Sequence, residues 1–230
     1  MNLKRTKDKD FPDEIHYFKD RTSKYQMIYY PEAKHTPFVF LVPLVGEKNA
    51  VTLTARDIER YHPDLKEIIA DPCISLQYLE VGVGLGEPIT KLGDINNKPI
   101  AIDPANYEIM AEILTALKSE INSKYEHVRL EWLRRCEYML SDKVRLIGTT
   151  LGEAVKMEKL WGIADVVVDN FGPTHWTETE GIIKDLRKVG ISSKERIVSL
   201  ELNFLKQGGK LYSNEFSKPY TKSHLKSQSQ

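Results

Sequence analysis

The run Leu79-Glu80-Val81-Gly82-Val83-Gly84-Leu85-Gly86, followed by Ile100-Ala101-Ile102-Asp103, constrains this chain more than any other stretch. A short apolar run closed by glycines reads as a strand entering a tight turn, and the second apolar run reads as a strand ending in an acid. With a helix between them, the two strands lie parallel in one sheet. Glycines at the turn permit positive φ and let a ligand lie against peptide N–H groups. A carboxylate ending the next strand is placed to accept both hydroxyls of a ribose. The pair describes a nucleoside site at the carboxyl edge of a parallel sheet. The plainer alternative is a strand, turn and helix whose glycines serve packing alone.

Glycine spacing separates two cofactors. The dinucleotide fingerprint G-x-G-x-x-G needs a third glycine at position 87 counting from Gly82, or at 89 counting from Gly84; those positions are Glu87 and Ile89. What stands there is acid-x-G-x-G-x-G, from Glu80 through Gly86. That pattern resembles motif I of the class I, seven-strand methyltransferases that use S-adenosyl-L-methionine. A second segment, Leu205-Lys206-Gln207-Gly208-Gly209-Lys210-Leu211, resembles the L-x-x-G-G-x-L run leading into strand five of the same family. The resemblance covers about residues 71–213.

The alternation of strand and helix patterns from residue 71 onward predicts a Rossmann-like, doubly wound α/β core with a mostly parallel sheet and helices on both faces. Its strands are expected at Leu76–Val81, Pro99–Asp103, Lys143–Thr149, Ala164–Asp169 and Lys210–Ser213. Val166-Val167-Val168 suits a strand buried on both faces. One helix carries Tyr107, Met110, Ile113, Leu114, Leu117 and Ile121 at helical spacing; the next carries Val128, Trp132, Leu133, Cys136 and Met139. Capping boxes at Thr177/Glu180 and Ser192/Glu195 open two further helices, and Gly208-Gly209 is expected to end the second with a left-handed cap.

Outside the core, residues 1–70 form an N-terminal extension. Residues 1–24 read as an arm or a surface helix, Tyr25–Tyr30 and Phe38–Val45 as strands, and 55–70 as a helix broken near Pro63. Pro43 places the second strand at an edge or a bulge. Residues 214–230 are a polar tail, too short for the antiparallel hairpin that closes the family's sheet. The N-terminal strands are expected either to cover the open edge beside strand five or to cap the substrate pocket.

The resemblance implies roles for named residues. Gly82, Gly84 and Gly86 would hold the methionine part of the cofactor, Glu80 would face its ammonium group, and Asp103, with Pro104 after it, would take the ribose. Where the family has an acid after strand three for the adenine amine, this chain has Thr149-Thr150. After strand four stands Asp169-Asn170-Phe171-Gly172-Pro173-Thr174-His175. It resembles the N/D-P-P-Y/F signature of amino-methylating enzymes with the prolines absent, and is similar to the N-N-F segment of seven-strand nucleosomal lysine methyltransferases. Asp169, Asn170, Phe171 and His175 are the catalytic candidates. No acid pair or triad is needed, because the sulfonium already activates the methyl and alignment can supply on the order of 7–11 kcal/mol of the barrier.

Composition bounds the rest. Net charge is zero, so nothing global favours DNA, RNA or an anionic membrane. Cys73 and Cys136 describe no metal site or disulfide framework. A metal-dependent O-methyltransferase would need a second acid where Ser213 stands beside Asn214, so no metal is expected. No apolar leader follows Met1 and no run is long enough to span a bilayer, which makes the cytoplasm the expected compartment. The acceptor is a nitrogen or oxygen, with a protein side chain or small molecule favoured over RNA; oligomeric state is not legible. The alternatives are a catalytically silent protein of this fold acting as a binding module, a small-molecule O-methyltransferase and, further off, an oxidoreductase.

Overall fold

The computed structural model describes residues 3–6, 16–20, 26–29, 38–43, 50–53, 62–70, 75–85, 87–92, 97–116, 118, 126–170, 172–174 and 194–223. The chain divides into two compact units, Met1–Ala55 with Ala105–Ser141, and Arg56–Pro104 with Asp142–Gln230.

In the first unit, strands β1 (Leu3–Thr6), β2 (His16–Asp20), β3 (Gln26–Tyr29), β4 (Phe38–Pro43) and β5 (Ala50–Leu53) form an antiparallel meander in chain order. The arm or surface helix expected over residues 1–24 is thus replaced by β1 and β2. Runs of four or five residues with scattered charges carry no usable alternation; their pairing partners define them. Pro43 neither places β4 at an edge nor makes a bulge. It is the last residue of β4, paired with Ala50, and pairing with β3 stops at Leu41, so no ladder bond on that side is lost. The strands β3 and β4 pair within this meander and not with the edge of the other sheet, which corrects the expectation that they would cover it.

The same unit holds α3 (Tyr107–Ala116) and α4 (Glu126–Leu140), which pack together. Tyr107, Met110, Ile113 and Leu114 are buried on α3, and Trp132, Cys136 and Met139 on α4, on the stripes their spacing predicts. Arg129 Nη1 donates to the Leu114 carbonyl at 2.8 Å, and its other nitrogens grip Glu126. Leu117, Ile121 and the side chain of Val128 lie outside the described residues.

The second unit is built on a five-stranded, wholly parallel sheet of β6 (Tyr78–Val81), β7 (Ile100–Ile102), β8 (Arg145–Ile147), β9 (Ala164–Asp169) and β10 (Leu205–Ser213), in the order β10-β9-β6-β7-β8. The helices here are α1 (Pro63–Ala70), α2 (Glu87–Lys91), α5 (Leu151–Ala154) and α6 (Lys194–Glu201). Register partners point to one face, so Leu79, Val81, Ile100, Ile102, Val167 and Leu211 line the same side. They form one core with Leu151 and Ala154 of α5 and Ile197 and Val198 of α6. On the opposite face, α2 sends the Ile89 N–H to Glu80, and α1 offers Asp64 to the Tyr212 hydroxyl. The fold is Rossmann-like α/β, with helices on both faces of the sheet. Val166, Val167 and Val168 are all buried, as a central strand requires.

Strand β10 begins earlier than expected. The helix α6 ends at Glu201, a short 3₁₀ turn covers Leu202–Phe204, and the strand starts at Leu205. Gly208, at φ 81°, is therefore not a helix cap; it lies inside β10, where the register with β9 shifts between Leu205 and Lys210. The neighbouring Gly209 backs onto β9 so closely that a Cβ would stand 2.9 Å from the Asp165 carbonyl. The outer edge of β10 is met by the chain's own tail: Leu211 and Tyr220 exchange backbone hydrogen bonds at 2.8 and 2.9 Å. The helix expected after Thr177 and the cap at Ser192 lie outside the described residues.

Candidate functional site

The order β10-β9-β6-β7-β8 reverses direction at β6, because the chain moves first outward to β7 and β8 and then back across to β9 and β10. The carboxyl ends of β6 and β9 therefore flank the switch point, where ligands of open α/β sheets sit.

Strand β6 leads into Gly82 at φ 65° and Gly84 at φ 56°, both in the left-handed region that favours glycine. The Gly82 N–H donates to the Ile102 carbonyl at 2.8 Å, tying the turn to the end of β7. The Gly84 N–H donates to Asp103 Oδ2 at 2.7 Å. Asp103 is itself fixed through its backbone N–H, which donates to the Ile147 carbonyl at 3.2 Å. The glycine turn and the strand-end acid meet in space, with Asp103 only 2% exposed. Pro104 is half-buried beside it.

Glu80 lies on the other side of the turn and is fully buried. Its Oε2 accepts from the Tyr78 hydroxyl at 2.8 Å and from the Ile89 N–H at 3.1 Å, while its Oε1 has no hydrogen-bond partner among the described residues. Burial pushes this carboxyl up to about 8, against the two hydrogen bonds that favour its charge; the nearby Asp103 and Asp169 push the same way as burial.

Asp169 closes β9. Its Oδ1 accepts the Gly172 N–H at 2.7 Å, and its Oδ2 accepts both the Thr174 N–H at 2.9 Å and the Thr174 hydroxyl. Thr174 Oγ1 lies 3.0 Å from Ser213 Oγ on β10. The side chain thus folds the loop after β9 back on itself, and that loop rests on the glycine turn. A Cβ on Gly82 would stand 2.7 Å from Gly172 Cα and 2.8 Å from Pro173 Cδ; one on Gly172 would meet Asp169 Oδ1 and the Val81 carbonyl, each at 2.6 Å. The carboxyl is raised from its ordinary value by burial, which outweighs the loop donors. With donors on both oxygens, Asp169 holds the loop in shape. Asn170, next along, is buried.

Thr150 caps α5: its hydroxyl accepts from the Glu153 N–H at 3.4 Å, and the Thr149 N–H turns back to the Ile147 carbonyl at 2.8 Å. Gly86, Phe171 and His175 lie outside the described residues. Among the described residues, no three His, Cys, Asp or Glu side chains gather where they could hold a metal ion, and no helix is long and apolar enough to cross a membrane.

Sequence reading missed Glu201 altogether. It is fully buried at the end of α6, and burial together with the facing Asp169 charge holds its carboxyl well above the usual range. The signal was present, since Glu201 falls four residues after Ile197 and three after Val198, on the buried stripe of its own helix.

No family model matches the chain, and no curated protein matches it. Among solved structures, a fibrillarin pre-rRNA processing protein from Methanococcus jannaschii aligns over 92% of this chain and 75% of its own, at 16% identity and a TM-score of 0.31. A likeness of that size establishes neither a shared activity nor a shared substrate.

Proposed function

We propose that the chain binds S-adenosyl-L-methionine at the carboxyl edge of β6 and β7 and directs its methyl group to a nitrogen or oxygen acceptor. The observation that supports this best is the hydrogen bond from Gly84 to Asp103. It brings a positive-φ glycine turn and a strand-end carboxylate together beside a switch point, where an adenosyl group needs them. Glu80 adds to the case, because one of its buried oxygens is met by no group among the described residues and is the acceptor an ammonium or a bridging water requires.

In this reading Asp103 and Pro104 hold the ribose. The backbone of Gly82, Gly84 and Gly86 lies against the methionine portion, and Thr149-Thr150 borders the adenine. The cofactor, when bound, supplies an already activated methyl. The protein's part is to exclude water and align the acceptor. The loop from Asp169 through Asn170, Phe171 and His175 borders the acceptor, with Asp169 holding its shape and Asn170 available to receive an amine. A protein side chain or small molecule remains the favoured acceptor class over RNA.

A second reading, a protein of this fold that binds without turning over, draws on the commitments of Asp169 to its loop and of Thr150 to its helix cap. Calorimetric titration of S-adenosylmethionine, S-adenosylhomocysteine and NAD tests the cofactor. Micromolar binding of the two adenosyl compounds and none of NAD is expected; binding of NAD alone would overturn the proposal. Transfer of labelled methyl into a cell extract then separates enzyme from silent protein.

A further inference from the structure

Two fully buried carboxyls face each other at the end of β9. Asp169 ends that strand, and Glu201 ends α6 on the face that α6 covers. Among the described residues, neither oxygen of Glu201 receives a hydrogen bond from an N–H or hydroxyl group, and the carboxyl faces Asp169. An unpaired carboxylate in a dry interior is costly, and the negative end of a helix makes it more so. Two carboxylates face to face cannot both ionise cheaply. One proton therefore belongs to the pair. The loop donors decide where it sits: Gly172 and Thr174 point N–H and O–H groups at Asp169 and favour its charged form, while Glu201 has no such donors among the described residues.

We infer that Glu201 is a positioning residue for the candidate site, carrying a proton that it donates to Asp169 and so keeping the Gly172–Thr174 turn seated on Gly82. The inference rests on the reading of this edge as the binding site for its functional meaning, though not for its chemistry. Loss of the proton places two charges together in the interior and withdraws the support for the turn, whose closest neighbour is the glycine loop. The groups around the pair leave no other source of relief. Glu80 on β6 lies within reach of the Asp169 charge and is another acid. On β10 the contact is the Ser213 hydroxyl, through Thr174. The ring of His62 is spent on the Ser213 carbonyl at 2.7 Å. Among the described residues of this unit, no Lys or Arg is buried. Burial and the Asp169 charge both hold the Glu201 carboxyl well above the ordinary carboxylate range.

The test is nuclear magnetic resonance on the full chain without cofactor, so its outcome is independent of whether S-adenosylmethionine binds. The Glu201 side-chain carbon is expected to show the shift of a protonated carboxyl at pH 7. Amide protection at Gly172 and Thr174 is expected to fall, by up to about tenfold per pH unit, as pH rises toward the Glu201 titration, and to level off above it. In Glu201→Gln, whose amide keeps a donor toward Asp169, protection at those amides is expected to lose that pH dependence. A carboxylate shift for Glu201 at pH 7, or the same pH dependence in wild type and Glu201→Gln, overturns the inference. Should Glu201→Gln not fold, the wild-type carbon shift alone decides.

Discussion

The backbone N–H of Gly84 donates to the carboxylate of Asp103 at 2.7 Å, although the two residues sit on different loops. That bond pins the glycine turn to the end of β7 and buries the acid at the crevice. Asp103→Ala removes the acceptor and leaves the Gly84 N–H unsatisfied, a cost of about 1–3 kcal/mol in stability. If Asp103 also holds the ribose, affinity for S-adenosylhomocysteine falls by roughly 10- to 100-fold, the worth of a charged hydrogen bond. Thermal unfolding and calorimetry on one preparation separate the two effects. A variant that loses stability and keeps full affinity would remove Asp103 from the binding site.

Gly82→Ala meets two obstacles. Its φ of 65° is strained for alanine, and the new Cβ would stand 2.7 Å from Gly172 Cα, a backbone atom that cannot swing aside. The expected loss is about 1–3 kcal/mol of stability, accompanied by displacement of the β9 loop. Urea unfolding measures the first, and amide shifts at Gly172 and Thr174 report the second.

The Glu80 carboxyl gives a pH dependence of definite sign. Its folded value lies near 8, above the ordinary 4.5, so the folded state binds the proton more tightly than the unfolded chain. Stability from this group is fully present below about 4.5 and is lost as pH rises through about 8. Glu80→Gln, which stays neutral, is expected to flatten that decline and to exceed wild type at pH 9 by at most ~5 kcal/mol. Chemical unfolding at pH 5, 7 and 9 checks it; parallel pH curves for the two proteins would count against a raised Glu80.

A cation placed beside Glu80 reverses the balance, because it favours the carboxylate. Cofactor binding at pH 7 is therefore expected to release a proton, up to one per site. Titrations in buffers of different ionisation enthalpy detect the release. Binding with no proton release would separate the ammonium from Glu80.

Tyr212→Phe serves as a control away from the crevice. The hydroxyl donates to Asp64 at 2.8 Å and the ring meets His62 edge-on, 5.3 Å between centroids. Losing the hydrogen bond is expected to cost about 1 kcal/mol of stability and to leave cofactor affinity unchanged.

The parts of this protein that could be read from its residues are those set by local periodicity. The apolar runs at Leu79–Val81, Ile100–Ile102 and Val166–Val168 announced buried parallel strands, and the stripes of α3 and α4 announced helices, because burial on one or both faces writes itself into spacing. The glycine turn and Asp103 were legible because positive φ and a strand-end charge each narrow the choice of residue. The strands β1, β2 and β5 were not legible, being too short for alternation to signal and defined by their neighbours. Gly208-Gly209 suits a helix end by residue type alone, yet the pair lies inside a strand where its register with β9 shifts.

By itself, then, the sequence determined the class of sheet, the position of its central strands and the glycine–acid pairing at their ends. Only the tertiary structure decided how the acids are used. Glu80, Asp169 and Glu201 are similar carboxyls in sequence, yet one keeps an unmatched oxygen, one ties down a loop and one faces another acid. Those differences come from burial and from donors contributed by distant parts of the chain, and a carboxyl's charge depends on such surroundings far more than on its neighbours in sequence.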